Sequence, residues 1–183
     1  MPAAGFALFE TAIGFCGIAW NEGDAGLAGV LLPEGSEQAT RARMQAKFPG
    51  VAEMHAPSGV QKIMQRVVAL LEGARDDMAD INLDMAGVPP FQQRVYAEAR
   101  AIPPGRTLTY GEVACRLGEP GASRAVGQAL GHNPFAPIVP CHRVLAAENA
   151  SGGFSAGGGV STKLRMLEIE KARFGPQAGL FDG

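Results

Sequence analysis

The 183-residue chain changes character near residues 85–90, and this change limits which folds are open to it. Residues 1–90 hold six Lys or Arg against eleven Asp or Glu, whereas residues 91–143 hold six Arg against three Glu. The first segment begins with short apolar runs between turns, which predict strands, and the pattern of the second segment predicts helices. We therefore predict an α/β (α+β) protein of two domains, residues 1–85 and 86–175, followed by a tail at 176–183.

The N-terminal segment predicts strands followed by two helices. Its first third has short apolar runs broken by Asn-Glu-Gly-Asp and Pro-Glu-Gly turn signals. EQATRARMQAKF predicts a short helix ended by Pro49-Gly50. SGVQKIMQRVVALLEGA predicts a second helix with Ser58 as its N-cap, because its apolar residues recur at helical spacing. The stretch INLDMAGVPP then predicts a short extended segment before the boundary.

The C-terminal segment predicts a mostly helical domain with a helix-turn-helix. FQQRVYAEARAIPPG is amphipathic and stops at its Pro-Pro-Gly end. Thr109 is placed to cap YGEVACRL, and the turn GEPG leads into ASRAVGQALGHN. Small residues make this last helix slim, with Arg124 as its one long basic side chain. A slim helix can approach the floor of a DNA groove or pack closely against another helix, and the pattern alone favours close packing.

Composition narrows the classes of protein that remain. The sequence has no run of 18 apolar residues that predicts a membrane span, and its apolar start carries Glu10 and no positive region of the kind that secretory signals have, so we expect a cytoplasmic protein. The three cysteines, Cys16, Cys115 and Cys141, are an odd number without CxxC spacing, which argues against a disulfide framework and a thiolate zinc site. We expect Cys16 and Cys115 to be buried apolar residues. The basic second segment fits a polyanionic partner.

The stretch NPFAPIVPCHRV, residues 133–144, carries the chemistry. Cys141 is followed directly by His142 and Arg143 and preceded by Pro140. The nucleophile is the thiolate, and a free cysteine of pKa ~8.5 supplies little of it at neutral pH unless a base or cation lies nearby. The imidazole would in turn need a third group, usually a carboxylate, to orient it. For an arbitrary Cys-His pair, a buried and inert cysteine is the simpler interpretation.

PCHRV resembles the active-site signature of the O6-alkylguanine-DNA alkyltransferases, the methylated-DNA–protein-cysteine methyltransferases. The similarity covers roughly residues 83–171, with the segments in the expected order. The resemblance implies a DNA-repair enzyme that flips O6-alkylguanine out of double-stranded DNA and transfers its methyl or larger alkyl group irreversibly to its own cysteine. It implies one turnover, no cofactor and no metal; we expect a monomer. It leaves activity on O4-alkylthymine open.

The resemblance assigns a catalytic role to each matching residue. Cys141 would accept the alkyl group, and His142 would act through a bridging water as the base that forms the thiolate. Glu170 would orient the imidazole, although its neighbours on a charged helix face also allow a solvated glutamate. Asn133 would brace the turn that carries the site. Tyr110 would rotate the phosphate of the target outward and contact the guanine.

The resemblance also implies contacts with DNA and with the flipped base. Arg124 would enter the duplex and fill the hole left by the base, while Ala125 and Gly127 would let the slim helix approach the groove. Backbone carbonyls of Val144 and Cys141 would accept from the exocyclic amine of guanine.

Ser155 would donate toward O6 from the loop GGFSAGGGVSTK. This loop departs from the family, which often has Tyr where this chain has Phe154. Without the phenol of a tyrosine at this position, the rim of the base-binding pocket has one polar contact fewer. The size of the pocket is therefore left open.

Three other functions remain open at this point. A non-catalytic sensor of alkylated DNA shares the fold but lacks the acceptor cysteine, which this chain has. An unrelated thiol enzyme would explain the Cys-His pair but not the helix pair or the position of Arg124. A DNA-binding regulator would need sequence-specific base contacts, which a slim helix with one Arg can hardly supply.

Overall fold

The computed structural model describes residues 3–23, 26–146 and 160–172. Its N-terminal half holds an antiparallel sheet of three strands in the order β1–β2–β3, followed by two helices. The strands are β1 (Gly5–Thr11), β2 (Gly14–Trp20) and β3 (Leu27–Leu31); the helices are α1 (Glu37–Lys47) and α2 (Ser58–Leu70). The predicted strand and helix content of this half is therefore confirmed.

The sheet buries residues on both of its faces, because successive side chains of a strand point to opposite sides. On β1, Ala7 and Phe9 belong to the main hydrophobic core, which also contains Val67 of α2. Phe6 belongs to a smaller cluster with Met44 of α1 on the other side. Two helices thus cover a small sheet, which explains why its strands read as nearly continuous apolar runs.

The two N-terminal helices begin in different ways. Ser36 caps α1, since its side chain accepts a hydrogen bond from the backbone N–H of Ala39 at 3.1 Å. The prediction of Ser58 as the N-cap of α2 is wrong, because Ser58 is the first helical residue and Pro57 occupies the N-cap position without a side-chain bond. The extended conformation of Pro57, with φ −59° and ψ 159°, sets the start of the helix one residue earlier.

The C-terminal half is mostly helical, as predicted. Its elements are α3 (Pro90–Arg100), β4 (Leu108–Thr109), α4 (Tyr110–Arg116), α5 (Ser123–Gly131), a 3₁₀ helix (Cys141–Arg143), β5 (Val144–Leu145) and α6 (Val160–Ile169). Thr109 caps α4 as predicted and forms a capping box with Glu112: the Thr109 hydroxyl accepts from the Glu112 N–H at 3.1 Å, and the Glu112 carboxylate accepts from the Thr109 N–H at 3.0 Å.

A short parallel pairing positions the functional region. β4 pairs with β5 through Leu108 with Val144 and Thr109 with Leu145. This pairing places the start of α4 beside the residues that directly follow Cys141. The start of α4 at Tyr110 and the cysteine segment at Cys141–Arg143, which are about thirty residues apart in sequence, thus become neighbours.

One hydrophobic core extends through both halves of the chain. The halves also share backbone contacts, including a hydrogen bond of 2.9 Å from the Val30 N–H to the Pro134 carbonyl. Arg100 of α3 donates to the carbonyls of Met78 and Ile81 at 2.8 and 2.9 Å and ties the connecting segment to the C-terminal half. The predicted α/β class is confirmed, and the domain boundary at residue 85 stays a prediction.

The two cysteines outside the motif differ in burial. Cys16 is fully buried as predicted, and burial raises its pKa to about 12 against a smaller opposing effect of a hydrogen bond with Thr11. The prediction that Cys115 is buried is wrong, since this residue is exposed. The short helix α4 turns Val113 and Ala114 into the core, which leaves the next position facing solvent.

Within the described ranges, no helix is long and apolar enough to cross a membrane.

Candidate active site

Cys141 lies at the first residue of the 3₁₀ helix, at the end of a proline-rich loop that Asn133 holds in shape. The Asn133 side chain donates to the Val139 carbonyl at 2.7 Å and accepts from the Phe135 N–H at 2.9 Å. One amide group therefore bridges two points of the loop, in which prolines reduce the number of backbone donors. This geometry agrees with the expectation that Asn133 braces the turn.

The Cys141 side chain is buried, with 7% of the residue exposed. Burial raises the pKa of its thiol, because a thiolate loses solvation in an apolar environment. A hydrogen bond with the Asn133 side chain, the positive charge of Lys163 and the backbone N–H groups of residues 141 and 142 act in the opposite direction. The site thus holds a neutral thiol at rest and already contains groups that stabilise the thiolate.

His142, Glu170 and Arg143 form a buried cluster next to Cys141. His142 Nε2 lies 2.8 Å from Glu170 Oε1, and the three residues are 1%, 4% and 2% exposed. Arg143 donates to the same carboxylate from Nη2 at 2.6 Å and from Nε at 3.0 Å, and from Nη1 to the Ile102 carbonyl at 2.8 Å. The sequence-based expectation that the Glu170 carboxylate meets the imidazole agrees with this geometry, and the alternative of a solvated Glu170 is wrong.

The ionisation of this cluster favours a neutral imidazole beside a carboxylate. Burial opposes ionisation of Glu170, but the hydrogen bonds from His142 and Arg143 outweigh it and lower its pKa to about 2. Burial lowers the pKa of His142, and the hydrogen bond with Glu170 opposes that effect. Because a carboxylate only accepts, Nε2 of the neutral ring carries the proton and Nδ1 keeps its lone pair.

This arrangement leaves His142 Nδ1 available to accept a proton. It is buried and has no hydrogen-bond partner among the described residues. An imidazole whose Nε2–H is bound to a carboxylate is a stronger base at its other nitrogen, because the carboxylate stabilises the imidazolium that forms. The cluster is therefore suited to remove a proton near Cys141.

Lys163 of α6 is a buried cation that the sequence analysis did not assign. Its Nζ donates to the Val144 carbonyl at 2.8 Å and lies 5.8 Å from the centre of the Tyr110 ring. Burial lowers its pKa to about 8, against a smaller opposing effect of Cys141. Lys163 lies seven residues before Glu170, which is two helical turns, and this spacing is the sequence signal that both residues share one face of α6.

The helix pair α4–α5 lies beside this site, and Tyr110 connects the two. Tyr110 begins α4, and burial followed by the influence of Cys141 raises the pKa of its phenol. A Cβ built on Gly127 of α5 would lie 3.8 Å from the Tyr110 ring, so the ring lies beside this position of the helix at van der Waals distance. The buried side of α5 consists of Val126, Ala129 and Leu130.

The opposite side of α5 is open. Arg124 and Ala125 are exposed, and Gly127 is half-buried. The structure thus brings Cys141, His142, Glu170, Asn133 and Tyr110 into one region and leaves Arg124 on the outer face of the adjacent helix. Ser155 and Phe154 lie outside the described residues. Val144 is buried, and its carbonyl already accepts from Lys163.

Arg143 is the second residue whose role the sequence analysis did not assign. It stands inside the PCHRV motif, but its contact with Glu170 spans 27 residues and no local pattern predicts it.

Within the described ranges, no group of three or more His, Cys, Asp or Glu side chains is arranged to hold a metal ion.

Comparisons with known proteins agree with this arrangement. The family model of the 6-O-methylguanine DNA methyltransferase DNA-binding domain matches residues 90–172, which include the helix pair and Cys141. A methylated-DNA–protein-cysteine methyltransferase of Methanothermobacter thermautotrophicus is 34% identical over 154 residues, 84% of this chain and 78% of that protein. The chain belongs to this family of methyltransferases.

Further relatives support the same assignment. The enzyme of the same name from Mycobacterium bovis is 50% identical over 103 residues, which are 56% of this chain and 61% of the relative. The crystal structure of Mycobacterium tuberculosis OGT in complex with DNA superposes with a TM-score of 0.70 at 34% identity, over 97% of this chain and 99% of that one. The similarity thus includes the N-terminal half, for which the sequence carried no motif.

Proposed function

We propose that this chain repairs alkylated DNA by direct reversal, moving the alkyl group of O6-alkylguanine in double-stranded DNA to Sγ of Cys141. The observation that carries the proposal is the buried cluster in which Glu170 holds His142 Nε2 at 2.8 Å beside an acceptor cysteine. The relatives' name, methylated-DNA–protein-cysteine methyltransferase, supports the same chemistry. Because Cys141 is present within an intact motif, no observation favours a non-catalytic sensor.

The first step is activation of the thiol. The Cys141 proton passes through a bridging water to His142 Nδ1, and the imidazolium is stabilised by the carboxylate of Glu170. Arg143 keeps that carboxylate ionised, since its guanidinium donates to both carboxylate oxygens. Asn133 and Lys163 stabilise the thiolate that results.

The second step is displacement at the alkyl carbon. A bond forms between Sγ of Cys141 and the carbon, and the bond from the carbon to O6 of guanine breaks with its electron pair going to O6. The guanine becomes neutral once it takes up one proton, which the phenol of Tyr110 donates, and the His142 imidazolium returns its proton to the tyrosinate through water, so that the proton of Cys141 ends on guanine. The product is a thioether, a bond that water does not hydrolyse under these conditions, so each molecule acts once and needs no cofactor.

The DNA side of the proposal uses the open face of α5. O6 of guanine lies inside the base stack, and extrusion of the nucleotide costs a few kcal/mol, less for a damaged pair. Arg124 fills the position of the extruded base, and Ala125 and Gly127 allow the helix backbone to approach the groove. Tyr110 rotates the phosphate, while Val144, Cys141 and Ser155 contact the base.

The protein acts as a cytoplasmic monomer in this proposal. Its catalytic domain comprises residues 86–175, close to the matched range of 90–172, with residues 1–85 as the N-terminal domain and 176–183 as a tail. The charge contrast supports this division, because the basic residues that meet DNA belong to the second segment.

The test is mass spectrometry of the intact protein after incubation with a duplex that contains one O6-methylguanine. We expect a gain of one methyl group per molecule, mapped to Cys141 in the peptide digest and saturating at one equivalent. The Cys141→Ala variant should bind the lesion duplex without gaining mass. Methylation of Cys16 or Cys115 in that variant, or tight binding without transfer by the unaltered protein, would overturn the proposal.

A further inference from the structure

A groove in the N-terminal half lies between the edge of β1 and one face of α2. It has a volume of about 680 Å³. Its walls are formed by consecutive residues of β1, namely Ala7, Leu8 and Phe9, and by α2 residues that include Met64 and Val68. Three consecutive strand residues can line one cavity only along the edge of the strand, because their side chains alternate between the two faces. None of the residues that the proposed alkyl transfer uses belongs to this groove.

The backbone of β1 is paired at Phe6 on this edge and is left without a backbone partner at Leu8 among the described residues. On the side away from β2, the Phe6 N–H donates to the Ala52 carbonyl at 3.1 Å and the Phe6 carbonyl accepts from the Met54 N–H at 2.9 Å. The register between β1 and β2 is regular, so the backbone groups of Leu8 point in the same direction as those of Phe6. Among the described residues, none forms a backbone hydrogen bond with Leu8 on that side. An open edge of this kind accepts a further strand.

The side chains around the edge are apolar at the base and acidic at the rim. Met54 is 48% exposed, the one large apolar side chain with that degree of exposure in the part of the chain that the structure describes. Glu53 and Glu72 line the groove; the Glu53 carboxylate already accepts from Arg41 at 2.8 Å, whereas Glu72 forms no ion pair among the described residues. The acidic balance of residues 1–90 adds to the negative potential. This distribution favours a basic partner over a nucleic acid.

We propose that the groove binds an extended peptide segment of a partner protein by strand addition, with apolar side chains alternating with Lys or Arg. The peptide backbone pairs with Leu8, its apolar side chains contact Met64 and Val68, and its basic side chains meet Glu72. Main-chain pairing supplies affinity in this mode of recognition, and the alternate side chains supply specificity. The surface gives the N-terminal half a binding role separate from DNA repair.

The test uses a set of capped hexapeptides that alternate Val, Ile or Leu with Lys, Ser or Glu, measured by fluorescence anisotropy on the full chain. We expect the Lys peptides to bind with a dissociation constant on the order of 10–100 µM, and the Glu peptides at least about tenfold more weakly. Hydrogen exchange should show new protection of the Leu8 amide. A Lys peptide with N-methylated backbone amides keeps its side chains but loses its donors, and we expect it not to bind.

Matched variants locate the site. Glu72→Lys should weaken binding of the Lys peptides several-fold and strengthen binding of the Glu peptides, whereas Glu168→Lys, an equal charge change at an exposed position of α6, should leave both unchanged. Transfer from O6-benzylguanine should be the same in both variants and in the unaltered protein, so failure here is distinct from failure of the repair proposal. Absence of binding by every peptide below ~1 mM, equal binding of Lys and Glu peptides, unchanged binding of the N-methylated peptide, or a dimer that already protects Leu8 would each overturn the proposal.

Discussion

Arg143 Nη2 donates to Glu170 Oε1 at 2.6 Å, and the same oxygen lies 2.8 Å from His142 Nε2. One carboxylate therefore accepts hydrogen bonds from a permanently charged guanidinium and from an imidazole that can change its protonation state. The guanidinium holds Glu170 ionised, and its positive charge also opposes protonation of His142. In this arrangement the histidine is oriented by Glu170 and kept neutral, which is the state that a general base requires.

Replacement of Arg143 should shift the pH dependence of alkyl transfer. In Arg143→Met the positive neighbour is lost, so the pKa of His142 rises and the fall in rate on acidification begins at a higher pH. We expect roughly a 3–10-fold loss of transfer rate at pH 7, within the range that a general base contributes. The rate of transfer from O6-benzylguanine, measured in quenched reactions between pH 5 and 9, gives this profile.

The conservative variant separates this electrostatic effect from a loss of structure. Removal of one partner from a buried ion pair costs about 3–5 kcal/mol, so urea unfolding must accompany each pH profile. Arg143→Lys keeps the charge and should return the acidic limb toward its original position. A profile of unchanged shape and lower amplitude in Arg143→Met would show a structural role only.

Replacement of Lys163 should make the Cys141 thiol less reactive. The buried ammonium lowers the pKa of Cys141, so Lys163→Met removes one of the effects that oppose burial and raises the thiol pKa further. The thiolate fraction at pH 7 falls, and we expect transfer to slow by roughly 3–10-fold. The rate of reaction with a disulfide reagent as a function of pH reports the same change without DNA.

The sign of the effect on stability provides a second readout for Lys163. Burial holds the pKa of Lys163 at about 8, below its ordinary value of 10.5, so the charged form is disfavoured in the folded protein. Lys163 should therefore contribute a gain in stability as the pH rises from about 8 to 10.5, and the unaltered protein should become more stable relative to Lys163→Met over that range. Arg165→Met, which removes an exposed charge from the same helix, is the matched control and should change neither thiol reactivity nor this pH dependence.

Much of this architecture could be predicted from the sequence, because the relevant signals are local. Thr109 with Glu112 predicts a helix start, and the spacing of small residues predicts the slim helix that carries Arg124. The contacts that tune the site could not be predicted in this way. Glu170 meets His142 across 28 residues, and Lys163 meets Val144 across 19, so only the packing of α6 against the 3₁₀ helix brings them together. Local propensity also gave wrong predictions for Ser58 and Cys115. The start of α2 depends on the conformation of Pro57, and the exposure of Cys115 depends on which residues of the short helix α4 face the core.

Arg124→Ala should weaken transfer from duplex DNA and spare transfer from the free base. Arg124 is exposed on α5 and, among the described residues, forms no hydrogen bond or ion pair with the Cys141 cluster, so its loss leaves the chemistry intact but removes the group that fills the hole left in the duplex. A loss of about 1.4 kcal/mol corresponds to tenfold, and we expect at least about that decrease on a duplex with O6-methylguanine. On free O6-benzylguanine the rate should stay within about twofold, because no base has to be extruded.

The control for Arg124 is Lys62→Ala, which removes the same charge from the exposed surface of the N-terminal half. It should leave both substrates unaffected at moderate salt. Equal losses on duplex and free base in Arg124→Ala would contradict the base-flipping role, and equal losses in both variants on the duplex would reduce Arg124 to a general electrostatic contribution.

Gly127→Ala separates close packing from groove approach as the reason for a slim α5. The added Cβ would lie 3.8–3.9 Å from the Tyr110 ring, which is ordinary contact, so the folded state accommodates it. Alanine in place of a mid-helix glycine stabilises a helix by roughly 0.5–1 kcal/mol, and urea unfolding should show a gain of that size. If α5 must approach the groove, the same variant should bind lesion duplex more weakly while its transfer from free O6-benzylguanine is retained. A gain in stability with unchanged duplex binding would instead assign the glycine to helix packing and remove Gly127 from the DNA-contacting face.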